Sequence, residues 1–173
     1  MTAQPTGRIE SGDRLVLTRL FRAPIAEIWA AVTDAERLAR WYGTWSGDPS
    51  SGRVEVRMTA EDQAEPETLV ILRCDPPHHL AMTLGESADA WRVDVDLHEN
   101  PHEGDGMVTL RLTHWHPDPA ELASVGPGWD YYLDRLVAAE TGGDVDAVDF
   151  GRDYHPAMTE HYRALADELQ VGG

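Results

Sequence analysis

The stretch GWDYYLDRLVAAE, residues 128–140, places Trp129, Leu133, Leu136 and Val137 on one stripe of a helix, with Tyr132 at its flank. An apolar stripe of this kind must be buried. The chain offers one large partner for it, a series of strand-like segments upstream. In WRVDVDLHE, Trp91, Val93, Val95 and Leu97 alternate with Arg92, Asp94, Asp96 and His98. In VTLRLT, Val108, Leu110 and Leu112 alternate with Thr109, Arg111 and Thr113. Period-two alternation predicts half-buried strands with one face to water, which places Asp94 and Asp96 on the solvent side.

Further back the pattern repeats. Leu80, Met82 and Leu84 alternate, Thr68–Cys74 is a denser apolar run, and Val54, Val56 and Met58 alternate with Arg53, Glu55 and Arg57. Turn residues join these segments, as in Asp75-Pro76-Pro77 and ENPHEGDG. Closely spaced strands linked by turns predict an antiparallel meander. RLVLTRLFR, residues 14–22, reads as the first strand, and Pro24 opens a helix with Ile25, Ile28, Trp29 and Val32 on one face. Thr33 or Asp34 caps a second short helix carrying Leu38 and Trp41. Residues 43–52, with three glycines and a proline, read as a loop.

Three segments lie outside this scheme. Residues 1–13 are polar and are expected to be a flexible N-terminus, the domain proper spanning 14–140. The helix over Ala120–Glu140 is expected to break or kink near Gly126-Pro127-Gly128. Residues 141–173 read as a Gly- and Asp-rich linker or ordered acidic loop, followed by a helix over Pro156–Leu169. Its stripe of Met158, Tyr162, Leu165 and Leu169 must pack on its own domain or on a partner, such as a second copy in a homodimer.

The totals exclude several functions. Thirty-one acidic against 14 basic residues give a net charge of −17, which opposes binding to nucleic acid and to anionic membranes. No apolar run reaches the length of a membrane span, and MTAQPTGRIESGDR has no secretory core, so a cytoplasmic protein is expected. The lone Cys74 reads as a small buried hydrophobe. No phosphate loop, dinucleotide fingerprint, nucleophile elbow or zinc spacing occurs, and no cofactor is expected.

The order strand, helix pair, strands, long helix resembles that of the START-like (SRPBCC) superfamily. Arg19, Phe21, Ala23, Pro24, Ile28, Trp29, Ala31, Val32, Thr33, Asp34, Leu38 and Trp41 resemble the opening motif of its Aha-type family, homologues of the activator of the 90-kDa heat shock protein ATPase. Gly128, Trp129, Leu133, Asp134, Arg135 and Leu136 resemble that family's closing helix. The resemblance covers about residues 14–140. It implies an α+β helix-grip fold of the START and Bet v kind, a curved antiparallel sheet around a long helix, and a hydrophobic cavity between them. Departures from the eukaryotic activator are the lack of its other domain and the tail after residue 141.

On that fold the candidate ligand-binding residues are Trp41, Tyr42, Trp91, His114, Trp129 and Tyr132, which combine apolar rings with polar tips. Trp45 clusters with the first two at the cavity mouth. His114 and His116, two apart, share a strand face and could serve as acid and base, but no third residue with metal-ligand spacing accompanies them. His98 and His102 flank a turn and are expected to be exposed. Three functions are open at this point: a module holding a small apolar or aromatic molecule, a cyclase- or dehydratase-like enzyme using the same cavity, and a chaperone-type interaction protein.

Overall fold

The computed structural model describes residues 3–59, 65–101 and 106–169. The alternating segments form β2 (Arg14–Arg22), β4 (Arg53–Met58), β5 (Glu67–Asp75), β6 (His79–Leu84), β7 (Trp91–Glu99) and β8 (Met107–Trp115). With the short β1 (Arg8–Glu10) and β3 (Gly43–Ser46) they make one antiparallel sheet in the order β1-β2-β8-β7-β6-β5-β4-β3. The pairing of β2 with β8 closes the meander by joining its first and last long strands. Val95 opposite Leu112 and Leu97 opposite Leu110 stack buried apolar pairs on the inner face.

The helices α1 (Ile25–Thr33) and α2 (Ala35–Leu38) follow β2, with Asp34 accepting from the backbone N–H of Glu36 and Arg37 as the cap of α2. The long α3 (Leu122–Thr141) packs with the inner face of the sheet through Trp129, Tyr132, Leu133 and Leu136, all buried. It runs unbroken through Pro127, where a break or kink was expected. A mid-helix proline costs about 3 kcal/mol. Here Gly126 and Pro127 are both buried and the helix is held on two sides, by the sheet and by the tail, which outweighs that cost.

The segment read as a loop over 43–52 contains β3, an edge strand on β4, followed by a single 3-10 turn at Pro49–Ser51. Gly43 there has no alternative, because a Cβ would collide with the Arg57 carbonyl.

Residues 6–10 of the N-terminus are tied to the rest of the domain. β1 pairs with β2, the Thr6 backbone N–H and hydroxyl both donate to Asp130, and the Gly7 N–H donates to the Tyr162 hydroxyl at 3.0 Å. Composition suggested fraying, but burial of Asp130 on α3 supplies the acceptor that orders this arm. The acidic segment is an ordered connection, a 3-10 turn at Val145–Ala147 and then α4 (Phe150–Asp153) capped by Asp149. The tail helix α5 (Thr159–Ala166) packs on α3 of its own chain, with Met158, Tyr162, Leu165 and Leu169 all buried.

Two smaller expectations also fail. Cys74 is exposed, on the part of β5 that extends beyond its pairing with β4, which reaches only Val70. Its thiol pKa is raised, first by partial burial and then by the Asp75 carboxylate. Asp94 is buried on the outer face, between Arg92 at 3.4 Å and His79 at 3.7 Å, where open solvent was expected.

Candidate functional site

Sheet and α3 do not meet everywhere. Between them lies a chamber of about 220 Å³, walled by apolar side chains such as Leu69, Met82, Val95, Leu112 and Leu133. The inner periodicity of the strands puts these residues there. The helix pair supplies one end. The Trp41 indole N–H donates to the Ala31 carbonyl and that of Trp45 to the Thr33 carbonyl, both at 2.9 Å, which fixes the two rings against the chamber.

A second, half-open space of about 730 Å³ adjoins it. Its walls come from α3 (Ser124, Tyr131), from α4 (Phe150) and from the β6–β7 loop with the start of β7 (Ser87, Asp89, Trp91). Tyr42, Leu84, Trp129 and Tyr132 line both spaces and form the neck between chamber and vestibule. Tyr42 and Tyr132 meet edge to face with centroids 4.9 Å apart, and the Tyr132 hydroxyl donates to the Met58 sulfur at 3.5 Å.

The six candidate residues therefore take four positions. Trp41 lines the chamber only. Tyr42, Trp129 and Tyr132 line the neck. Trp91 lines the vestibule only and is 37 % exposed, where an inward core position was the alternative. His114 lines neither space. It lies beneath Trp91, with ring centroids 5.0 Å apart, and accepts the Trp129 indole N–H on Nδ1 at 3.2 Å. Since an indole N–H can only donate, Nδ1 carries no proton and the neutral ring holds its proton on Nε2. Burial lowers the His114 pKa to about 4. Its hydrogen bond holds the Trp129 ring, which lines the neck.

His116 does not join it. The residue has left the strand with φ of 49°, in the left-handed region, and is exposed. His98 is exposed as expected, and His102 lies outside the described residues. Tyr131 and Phe150 are site residues that sequence patterns did not single out. Tyr131 sits beside the helical stripe, and Phe150 is embedded in a Gly- and Asp-rich segment with no periodicity to mark it.

The other side of α3 is closed by a polar clasp. Asp130 is fully buried, and the Arg19 guanidinium bridges it at 2.8 Å and Asp134 at 3.0 Å. The Tyr162 hydroxyl donates to Asp130 in a short hydrogen bond, and the Tyr154 hydroxyl to Asp134 at 2.7 Å. Burial raises both phenol pKa values, and the neighbouring carboxylates raise them further.

A curved antiparallel sheet gripping a long helix, with an open chamber between, defines a helix-grip domain of the START-like (SRPBCC) class. The chain belongs to the family described as "Activator of Hsp90 ATPase homolog 1-like protein", whose profile matches residues 22–140. Among solved structures it is similar to CalU16 from Micromonospora echinospora, at 24% identity and a TM-score of 0.65, covering 94% of this chain and 95% of that one. It is also similar to the protein EF2215 from Enterococcus faecalis, at 18% identity and a TM-score of 0.68, covering 95% and 91%. DynU16, a protein in the dynemicin biosynthetic locus, aligns at 22% identity and a TM-score of 0.56 over 77% of this chain and 49% of that one. These likenesses concern the fold. No curated protein matches significantly. No described helix is long and apolar enough to cross a membrane.

Proposed function

We propose that this protein binds a small, largely apolar or aromatic molecule, with its body in the chamber and its outer end in the vestibule. The observation that carries this reading is the unfilled chamber, lined by aliphatic and aromatic side chains. A fully packed core would bury the same strands without leaving it. At about 24 cal/mol per Å³, an empty apolar cavity of 220 Å³ costs up to about 5 kcal/mol, and an occupant recovers part of that. The described residues lining the chamber are apolar or aromatic apart from Thr33 and Cys74, and its two phenols, Tyr42 and Tyr132, stand at the neck, which supports a binder over an acid–base enzyme.

The test is native mass spectrometry of the freshly purified protein, followed by titration of its Trp fluorescence with aromatic and acyl compounds. A copurifying molecule or saturable quenching is expected, and Leu112→Trp, which fills the chamber, should abolish it in a folded protein. Lack of a bound mass and of any response across the panel would refute the reading.

A further inference from the structure

The vestibule carries chemistry that an apolar ligand does not require. Among the large apolar residues left exposed, the two aromatic ones, Trp91 at 37 % and Phe150 at 38 %, both line it. Trp129 adds a third ring from the neck. Indole and phenyl faces carry negative electrostatic potential and attract organic cations, Trp most strongly.

Among the described residues the charged side chains lining this space are Glu67 and Asp89, and no described arginine or histidine lines either the vestibule or the chamber. The chain contains no lysine at all. The two carboxylates approach the same loop. Asp89 lies within it, and a Cβ placed on Gly85 would be 3.6 Å from the Glu67 carboxylate. Glu86 of that loop pairs with Arg53 at 2.6 Å, whereas neither Glu67 nor Asp89 has an ion pair among the described residues. Two nearby basic side chains are engaged elsewhere. Arg135 lies over Tyr131 at 5.4 Å while donating to the carbonyls of Trp41 and Val145, and His155 stacks on Phe150 without lining the space.

Resting on the binding reading above, we infer that the ligand is an organic cation, an apolar body bearing an ammonium group, whose charge sits in the vestibule beside Trp91 with Glu67 and Asp89 as counter-charges. The same lining rejects carboxylate-bearing molecules such as free fatty acids, because no cation faces them and two carboxylates do. A net charge of −17 also draws cations toward the protein from all directions, so the local claim must be separated from the overall field.

Decyltrimethylammonium, decanol and decanoate share one chain and differ in head group. Each is titrated below its micelle concentration against the full-length protein by Trp fluorescence and calorimetry. The ammonium compound is expected to bind about tenfold tighter than the alcohol, as a partly desolvated cation–π contact with a counter-charge gives. Decanoate should bind weakest. Glu67→Gln with Asp89→Asn should erase the ammonium advantage and leave the alcohol's Kd unchanged. Glu36→Gln with Glu160→Gln, the same charge change on exposed helical positions away from both spaces, should leave that advantage intact.

Equal binding of ammonium and alcohol, or preference for decanoate, overturns the cation assignment and leaves the pocket standing. Loss of the advantage in the Glu36/Glu160 pair overturns it too, assigning the effect to overall charge. Failure of all three compounds to bind takes down the binding reading and this inference together.

Discussion

Helix α3 has two working faces, and they are built on opposite plans. Toward the sheet, Trp129, Tyr132 and Leu133 stand over a chamber that is not filled. Toward the tail, Asp130 is fully buried among Arg19, Thr6 and Tyr162, and the Tyr162 ring lies so close to Gly126 that no Cβ fits between them. Residues one position apart thus serve opposite ends. A face that leaves a chamber beside it has to be held in shape by something other than its own packing. The tight, polar side of the helix holds the loose, apolar side open.

The largest break in this contrast should come from Asp130→Ala. It removes one of the two carboxylates that pair with Arg19 and the shared acceptor of Thr6 and Tyr162, and should cost about 3 kcal/mol in urea denaturation. Asp130→Asn, which keeps the shape, should cost less. If Asp130→Ala melts like the parent, the clasp does not hold the helix.

Next in size is a pH effect from the sheet side of the helix. His114 has a pKa of about 4 in the folded protein against an ordinary 6.5. As pH falls below 6.5 the unfolded chain takes up this proton first, so stability is complete above that pH and declines on the way to 4. The decline amounts to on the order of 3 kcal/mol. Protonation would also set two N–H donors, Nδ1 and the Trp129 indole, against each other. The difference in urea midpoint between parent and His114→Gln should change steadily across that window and be flat above it. Parallel pH profiles would show that the histidine is not buried in its neutral form.

Gly126→Ala should be smaller, about 1–3 kcal/mol of overpacking, because the hydrogen bond from Tyr162 to Asp130 keeps the ring from retreating. In Gly126→Ala/Tyr162→Leu the penalty of the alanine should shrink, and strict additivity would deny the contact. The smallest effect belongs to Leu112→Trp. Adding volume to a filled core costs about 1–3 kcal/mol, but here the new ring enters empty space and the melting temperature should stay within a few degrees of the parent.

Much of this architecture was legible in the sequence, and the reasons lie in particular residues. Val93, Val95 and Leu97 alternate cleanly because one face of β7 is buried, and Met158, Tyr162, Leu165 and Leu169 announce a docked helix because no exposed helix needs them. What escaped the sequence was decided by distant partners. The N-terminal arm is ordered by a carboxylate more than a hundred residues away, at Asp130. Pro127 is tolerated because its helix is gripped from both sides. Within the candidate site, the rings of Trp41, Tyr42, Trp129 and Tyr132 were recognisable as wall material. His114 was not recognisable as a support, because a histidine on an inward strand face looks the same whether it reaches a cavity or stops one ring short. Phe150 gave no local signal at all.

The clasp also bears on how the domain is made. Asp130 draws its ligands from residue 6, residue 19 and residue 162. During vectorial synthesis the first two are present when α3 emerges, and the third is not. A nascent chain that has passed Thr141 therefore holds every strand and the whole of α3, yet its central carboxylate still lacks the phenol that completes its burial. Completion of the clasp behind the chamber waits on a helix that does not line it, and the turn around Tyr162 acts as the keystone set after the arch is already standing.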